Sequence, residues 1–164
     1  QTCALPICFH IPRRLQRTLK QKPFRVTIDT AFEATMRACA APAAGRETTW
    51  INEEIISLYC ALHRMGNAHS IEVWDGDALV GGLYGVSLGS AFFGESMFSR
   101  KTDASKIAMV HLVTHLRQSG YTLLDTQFQT EHLARFGTYE IARSAYHLLL
   151  KAAIEKPPAS LPLP

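Results

Sequence analysis

The segment from His69 to Leu88 constrains the fold more than any other part of the sequence, because it is typical of a β-hairpin. HSIEVW alternates polar and apolar residues with the period of a strand, Asp75-Gly76 supplies a turn, and ALVGGLYGVSL returns as a second strand. The clustered glycines of that second strand predict a bulge or the close approach of another backbone. An antiparallel strand pair is therefore expected within the sheet.

Helical and strand-like segments alternate along the rest of the chain. The clearest helix follows Asp103, which is a predicted N-terminal cap, and Gly120 is its predicted stop. Strand composition marks PFRVTID, AFFGESMF and YTLLDTQ, and helical composition marks HIPRRLQRTLKQ, TAFEATMRACA, WINEEIISLYCALHRMG, TEHLARFG and EIARSAYHLLLKAAIE. This interleaving predicts an α/β or α+β sheet, and periodicity alone goes no further.

Apolar stripes predict which helix faces are buried. The helix after Asp103 carries one stripe, formed by Met109, Leu112, Val113 and Leu116. The helix that follows Trp50 carries another, formed by Ile51, Ile55, Leu58 and Leu62. APAAGRE, before Trp50, is a predicted linker, and Pro157 and Pro158 are expected to end the ordered part of the chain.

Basic residues are concentrated near the start of the chain. The net charge is +3, but residues 1–28 hold six basic residues and no acidic residue. In the helix predicted to begin at Pro12, Arg13, Arg17 and Lys20 share one face, and Leu15 and Leu19 lie on another. Such a basic face either binds a polyanion or is simply solvated, and charge alone does not decide between the two.

Composition favours a soluble, globular, cytoplasmic protein. Apolar residues make up 47% of the chain, and no apolar run reaches the roughly 18 residues of a membrane span. The four cysteines form no CxxC pair and no zinc-ligand spacing, so reduced thiols are expected. The opening QTCALPI reads like a translated sequencing adapter, so residues 1–8 are expected to be a non-native leader rather than a signal peptide.

Seven motifs occur in a fixed order over residues 9–155: TWI, NAHSIEVW, LVGGLYGV, FFGESMFS with DASK, LLDTQ, HLARFG and IARSAY. Together they resemble the bacterial leucyl/phenylalanyl-tRNA–protein transferase family. The resemblance implies an α+β, GNAT-like (acetyltransferase-type) catalytic domain at 47–156, in which helices flank a mixed sheet. It also implies a remnant of a small N-terminal domain with the basic helix at 9–46, most of that domain being missing, and a Pro-rich tail at 157–164.

The resemblance implies a reaction as well. Family members move Leu or Phe, and less readily Met, from aminoacyl-tRNA to proteins that begin with Arg or Lys, which marks those proteins for N-degron proteolysis. We therefore expect Leu-tRNA, Phe-tRNA and such acceptor proteins as partners, a monomeric chain, no membrane partner, no cofactor and no metal. Because the attacking α-amine has a pKa near ~8, positioning and oxyanion stabilisation matter more than a strong base.

Three polar residues match the family's catalytic positions: Glu95, Asp125 and Gln127. Asp125 and Gln127 lie two positions apart on one strand, so their side chains are predicted to point to the same face. Gln127 would orient the substrate, Asp125 would accept a proton directly or through water, and Glu95 would hold the attacking amine or the acceptor's basic first residue. Without the resemblance, Asp125 could instead cap a loop, and Glu95 could form an ion pair at the core edge.

The resemblance also assigns residues to the aminoacyl-adenosine pocket and to tRNA. Leu83, Phe92, Met97 and Leu124 would line the slot for the Leu or Phe side chain, and Trp50 would stack on the terminal adenosine. From composition alone, all five are ordinary core residues. Arg13, Arg17 and Lys20 would contact tRNA phosphates, independently of base sequence.

Two alternative functions remain open. An acetyl-CoA-dependent N-acetyltransferase would use the same fold, but it holds its cofactor with an R/Q-x-x-G-x-G/A loop whose glycines are absent from RKTDAS. An inactive tRNA-binding fragment is the second alternative. His111 and His115 have the i, i+4 spacing of a metal pair, but no nearby third ligand is evident, so no metal site is predicted.

Overall fold

A computed structural model of the protein describes residues 2–5, 9–42, 47–127, 131–134 and 136–156. Its helices are α1 (Arg13–Gln21), α2 (Phe32–Ala40), α3 (Glu53–Arg64), α4 (Ala104–Gln118), α5 (Glu131–Ala134) and α6 (Arg143–Ile154). Its strands are β1 (Thr2–Leu5), β2 (Arg25–Ile28), β3 (Ala68–Asp75), β4 (Ala78–Leu88), β5 (Ala91–Ser99), β6 (Leu123–Gln127) and β7 (Tyr139–Ile141).

The strands form one mixed sheet in the order β2-β3-β4-β5-β6-β1-β7. All neighbouring pairs are antiparallel except β5 and β6, which run parallel and are connected through α4. Helices cover the sheet, so the predicted α+β class is confirmed. The parallel pair is the part of this topology that positions the site.

The predicted hairpin is confirmed as β3 and β4. Gly76 takes the left-handed conformation at the turn between them, with φ +57°. Both explanations of the glycine cluster also hold. A Cβ atom placed on Gly81 would lie 2.5 Å from the Cβ of Ala104, and the β4–β5 register shifts between Tyr84 and Gly85. Gly81 therefore allows α4 to pack close to the sheet, and Gly85 lies at an irregularity in the pairing of β4 with β5.

The sheet separates two apolar cores. On one face, the predicted α4 stripe and Leu15 of α1 pack against Ile71, Leu83 and Leu124. On the other face, Phe32 and Met36 of α2 and residues of α3 pack against Tyr84. Because neighbouring strand residues face opposite sides, Leu124 packs toward α4, whereas Leu123 joins Ala153 of α6 in a smaller cluster.

Two predictions about helix faces and caps are wrong in part. The buried face of α3 is centred on Ile56, and Ile55 and Tyr59 pack partly against the core beside it. Leu58 points away from this face and is 60% exposed. Asp103 does stand immediately before α4, but its side chain caps no backbone N–H. Its carboxylate instead accepts a hydrogen bond from Lys106 at 2.6 Å.

Two boundaries also differ from the predictions. The helix predicted to include Glu140 and Ile141 begins only at Arg143, because Tyr139–Ile141 pairs with β1 as an extended strand. Helix α1 begins at Arg13, one residue later than predicted. Most of the predicted linker (43–46) and the two prolines Pro157 and Pro158 lie outside the described residues.

Candidate active site between two diverging strands

The parallel strands β5 and β6 pair over only three positions, Ala91–Leu123, Phe92–Leu124 and Phe93–Asp125. Beyond Phe93, β5 continues to Ser99 alongside β4, while β6 ends at Gln127. The two strands thus separate at their carboxyl ends. A cavity of about 310 Å³ lies between them, bounded by Gly94–Met97 of β5 and by Thr126 and Gln127 of β6.

The inner wall of the cavity is apolar. Leu83, Met97 and Leu124 line it, so three of the four predicted slot residues are brought together. Met109 and Leu112 of α4 and Leu133 of α5 complete the wall, and they were not predicted to line a site. In the sequence, Met109 and Leu112 belong to an apolar stripe that predicts burial in the core. The stripe does not indicate whether its residues pack against paired strands or border a cavity between strands.

Glu95 and Gln127 form the polar side of the cavity. The Gln127 side-chain amide donates a hydrogen bond to the Glu95 carboxylate at 3.2 Å. Burial raises the pKa of Glu95, and hydrogen bonds from Gln127 and from Tyr59 of α3 lower it in part, while the nearby charge of Asp125 raises it. The same burial, with the charge of Glu95, raises the pKa of Tyr59 to about 12. Tyr59 is a site neighbour that the sequence did not indicate.

Asp125 is turned away from this cavity. It is 6% exposed and is not among the described residues that line the cavity. Its carboxylate accepts a hydrogen bond from the Tyr146 hydroxyl of α6 at 2.6 Å and another from the backbone N–H of Gln127 at 2.7 Å. The two hydrogen bonds fix this carboxylate between α6 and the end of β6.

The prediction that Asp125 and Gln127 point to one face is wrong. Gln127 has φ +63°, in the left-handed region that few non-glycine residues adopt. This conformation ends the strand alternation, so the Gln127 side chain reaches Glu95 while Asp125 stays against α6. Strand periodicity does not extend through a residue whose backbone leaves the β region.

Two predicted pocket residues lie elsewhere. Phe92 is fully buried in the α4 core, edge-on to Tyr121, and is absent from the described cavity lining, because it belongs to the paired part of β5. Trp50 is 53% exposed in the segment before α3 and is likewise absent from that lining. The structure therefore places Phe92 outside the slot, and the stacking of Trp50 on the terminal adenosine stays a prediction.

The basic face of α1 has the predicted arrangement. Arg13, Arg17 and Lys20 are all exposed, and Leu15 beneath them is 3% exposed in the core. The ion pairs found among the described residues include none of these three side chains, whereas the neighbouring Arg14 reaches Asp103 at 3.4 Å. Three charges are thus presented to solvent on one side of the molecule.

In the described part of the chain, His69, His111 and His115 are buried or partly buried. His69 bonds to Asp29 at 2.7 Å through Nδ1, and burial lowers the pKa of both His111 and His115. No group of three His, Cys, Asp or Glu side chains suited to a metal ion occurs among the described residues. None of the described helices is long and apolar enough to span a membrane.

Comparison with known proteins assigns the family. The sequence profile described as leucyl/phenylalanyl-tRNA protein transferase matches residues 4–151. The chain belongs to this family. A leucyl/phenylalanyl-tRNA–protein transferase of Hyphomonas neptunium is 60% identical over 92% of the chain, and one of Paramagnetospirillum magneticum is 58% identical over 92%. The match spans 59% of the Hyphomonas transferase and 72% of the Paramagnetospirillum transferase, so the chain corresponds to part of these transferases.

A structural comparison adds evidence about the fold of this transferase family member. The solved structure of L-PGS from Bacillus licheniformis has a TM-score of 0.57 with the chain at 10% sequence identity. The match covers 93% of this chain and 64% of L-PGS. At this low identity the likeness shows a shared fold alone.

Proposed function

We propose that this chain is the aminoacyl-transfer part of a leucyl/phenylalanyl-tRNA–protein transferase with a GNAT-like fold. It would move Leu or Phe, and less readily Met, from aminoacyl-tRNA to the N-terminal Arg or Lys of acceptor proteins, marking them for N-degron proteolysis. The observation that carries the proposal is the cavity at the β5–β6 divergence, with an apolar inner wall and a carboxylate and an amide opposite it. We further propose that the chain acts as a cytoplasmic monomer without a cofactor.

The apolar wall fits the side chain of the transferred amino acid. Leu83, Leu124 and two methionines, Met97 and Met109, offer flexible and branched apolar surface with no charge. Unbranched methionines adapt to both a branched and a flat aromatic side chain, which accounts for acceptance of both Leu and Phe. A polar or charged amino acid would lose its hydration there without a partner.

The polar side of the cavity fits the attacking amine. The α-amine nitrogen forms a bond to the ester carbonyl carbon, the bond from that carbon to the ribose oxygen of the terminal adenosine breaks, and a proton moves from nitrogen to the leaving oxygen. Glu95 in its ionised form would hold the ammonium group or the basic side chain of the acceptor, and would accept the proton of the amine and pass it to the leaving oxygen. Gln127 would fix the direction of Glu95 and orient the ester, since a neutral amide is a poor base.

Asp125 keeps its proposed contribution to transfer, but the geometry favours an indirect one. A proton from the cavity could reach its carboxylate only through an intervening water, because both described hydrogen bonds of that carboxylate lead to Gln127 and Tyr146. We therefore propose that Asp125 supports the site mainly by holding the backbone of Gln127. Trp50 is exposed before α3, so its ring would be available to stack on the terminal adenosine.

The exposed basic face of α1 suits the tRNA. Arg13, Arg17 and Lys20 would neutralise phosphates along the acceptor end and would carry no base specificity. Leu-tRNA, Phe-tRNA and the acceptor protein are thus the proposed partners.

The proposal is tested by transfer of labelled Phe from Phe-tRNA to a peptide that begins with Arg. The chain is assayed beside the Hyphomonas transferase, so that segments outside the matched region are present in one arm. Glu95→Gln is the test variant and Glu54→Gln, on the exposed first turn of α3, is its matched control. We expect transfer by both parent proteins, loss of most of it in Glu95→Gln, and none of that loss in Glu54→Gln.

Two results would contradict the proposal. tRNA binding without transfer, by this chain and by the Hyphomonas transferase alike, would favour the inactive tRNA-binding fragment. Binding of acetyl-CoA in calorimetry, together with acetylation of the same peptide, would favour the N-acetyltransferase.

A further inference from the structure

Tyr146 is a residue of α6 outside the predicted site, yet it is bonded to the most buried acid next to that site. Its hydroxyl donates a hydrogen bond to the Asp125 carboxylate at 2.6 Å. Its ring packs in the small cluster of Ala91, Leu123 and Ala153, which joins α6 to the paired part of β5 and β6. Burial, reinforced by the hydrogen bond to Asp125 and by its charge, raises the pKa of Tyr146, so the phenol remains a donor at neutral pH.

Asp125 connects Tyr146 to the cavity. One carboxylate oxygen accepts from Tyr146, and the other accepts from the Gln127 backbone N–H at 2.7 Å. That second bond holds Gln127 where its φ is +63°, a conformation that a non-glycine residue adopts only when its surroundings stabilise it. The Gln127 amide then reaches Glu95 at 3.2 Å. The hydrogen bonds thus run in series from Tyr146 through Asp125 and Gln127 to Glu95.

We infer that Tyr146 is a positioning residue for aminoacyl transfer, acting through Asp125 and the left-handed backbone of Gln127 on the direction of Glu95. This inference rests on the proposed function of the cavity. Tyr146 is absent from the described lining of that cavity, so it acts without touching a substrate there. An exchange of its hydroxyl for hydrogen leaves one Asp125 oxygen unpaired in a buried setting and frees the carboxylate to turn away from Gln127.

The experiment measures kcat and KM for Phe transfer in Tyr146→Phe, which keeps the ring and its packing. The matched control is Tyr121→Phe, because Tyr121 is also half-buried and its hydroxyl bonds to Ser87 rather than to the hydrogen-bond series that begins at Tyr146. We expect kcat to fall about tenfold in Tyr146→Phe, because that rate ratio corresponds to the free energy of about one hydrogen bond to a charged group. KM for Phe-tRNA should change by less than about twofold. Tyr121→Phe should change neither constant by more than about twofold.

A double-mutant cycle with Asp125→Asn separates positioning from general stabilisation. If Tyr146 acts through Asp125, Tyr146→Phe adds less than about twofold in the Asp125→Asn background. An equal tenfold loss in both backgrounds would overturn the inference, as would unchanged kcat in the single variant. Equal losses of kcat in Tyr146→Phe and Tyr121→Phe would overturn it too.

A second measurement does not depend on activity. The exchange rate and chemical shift of the Gln127 amide proton report its hydrogen bond to Asp125, and both should move in Tyr146→Phe and in Asp125→Asn but not in Tyr121→Phe. If the parent protein transfers no amino acid while these amide signals respond as stated, the proposed function fails and the hydrogen-bond series stands. Unchanged Gln127 signals in Tyr146→Phe would overturn the inference whatever the activity.

Discussion

The two ends of the β5–β6 pair differ sharply, although they belong to the same two strands. At the closed end, Ala91–Phe93 and Leu123–Asp125 pair through their backbones, and Phe92 and Ala91 are fully buried. At the open end, Gly94–Met97 are half-buried and face Thr126 and Gln127 across the cavity without pairing. One end is core, and the other borders the cavity of the candidate site.

The difference teaches that the site arises from a parallel pair that stops early. At the open end, β5 stays bound to β4 across a register shift next to Gly85, while the left-handed Gln127 ends β6. Side chains and backbone groups that pairing would bury thus remain accessible to a ligand. Binding at the carboxyl ends of parallel strands is general in open sheets that contain such pairs.

The largest effect expected from this comparison is on stability. Phe92→Ala at the closed end should lower the free energy of unfolding by about 3–5 kcal/mol, because it leaves a cavity in a closed core. Met97→Ala at the open end should lower it by only about 1–2 kcal/mol, because that side chain already borders open space. Chemical denaturation of both variants measures the contrast, and equal losses would remove the distinction between the two ends.

Charge at the open end should control use of the acceptor. Glu95→Lys should lower transfer to an Arg-starting peptide by about a hundredfold or more, because an attractive charge beside the amine becomes repulsive. Glu54→Lys on the exposed face of α3 is the matched control and should leave transfer within about twofold. tRNA affinity, measured by filter binding, should be unaltered in both; a loss of tRNA affinity in Glu95→Lys alone would place Glu95 in a different role.

The pH dependence of transfer should sharpen the assignment of Glu95. Because burial raises its pKa, Glu95 is protonated up to a higher pH than an exposed glutamate, and only the ionised form holds an ammonium group. Transfer should therefore fall as pH falls through this raised pKa, a limb that Glu95→Gln lacks. A separate limb near ~8 belongs to the peptide α-amine and should persist in both proteins.

The raised pKa of Glu95 also affects the free energy of unfolding, which should fall as pH rises, whereas transfer should increase. The stabilisation from protonated Glu95 is fully present below the ordinary glutamate pKa and is lost as pH rises through the raised one. Glu95→Gln should lack this loss in denaturation curves measured across that range. An identical pH dependence of stability in the two proteins would contradict the burial of an ionised Glu95.

The smallest effect on the comparison should come from the basic face of α1, whose side chains are exposed to solvent. Neutralising Arg13, Arg17 and Lys20 to Gln should reduce the slope of log affinity for tRNA against log salt by about 1 for each phosphate that is no longer neutralised. Stability and the Glu95 pH limb should stay as they are. An unchanged salt slope would remove this helix from the tRNA interface.

Much of the fold could be predicted from the sequence, because the patterns that indicate its helices and strands are local. The hairpin at Gly76, the α4 stripe around Met109 and the strand that ends at Gln127 each follow from spacing within a few residues. The Tyr139–Ile141 strand was missed because the strand with which it pairs, β1, lies at the opposite end of the chain. Strand identity there depends on pairing rather than on propensity.

The candidate site could be predicted from the sequence only in part, because its geometry depends on contacts between distant parts of the chain. Of the residues that the resemblance assigns to the site, Glu95, Met97 and Gln127 line one cavity. The resemblance could not indicate that Asp125 faces α6, because that depends on a hydrogen bond from Tyr146, 21 positions later in the chain. Nor could it indicate that Phe92 lies in the paired part of β5, since the point at which two strands part is a tertiary property.

The close packing of α4 on the sheet at Gly81 has a consequence for the width of the cavity. A single added methyl group there would meet the start of α4 at Ala104, directly before Ser105 on the cavity wall. The helix would have to tilt outward, and its methionine and leucine side chains farther along would move with it. The width of the cavity thus depends on the absence of a side chain at Gly81, a position outside the described cavity lining.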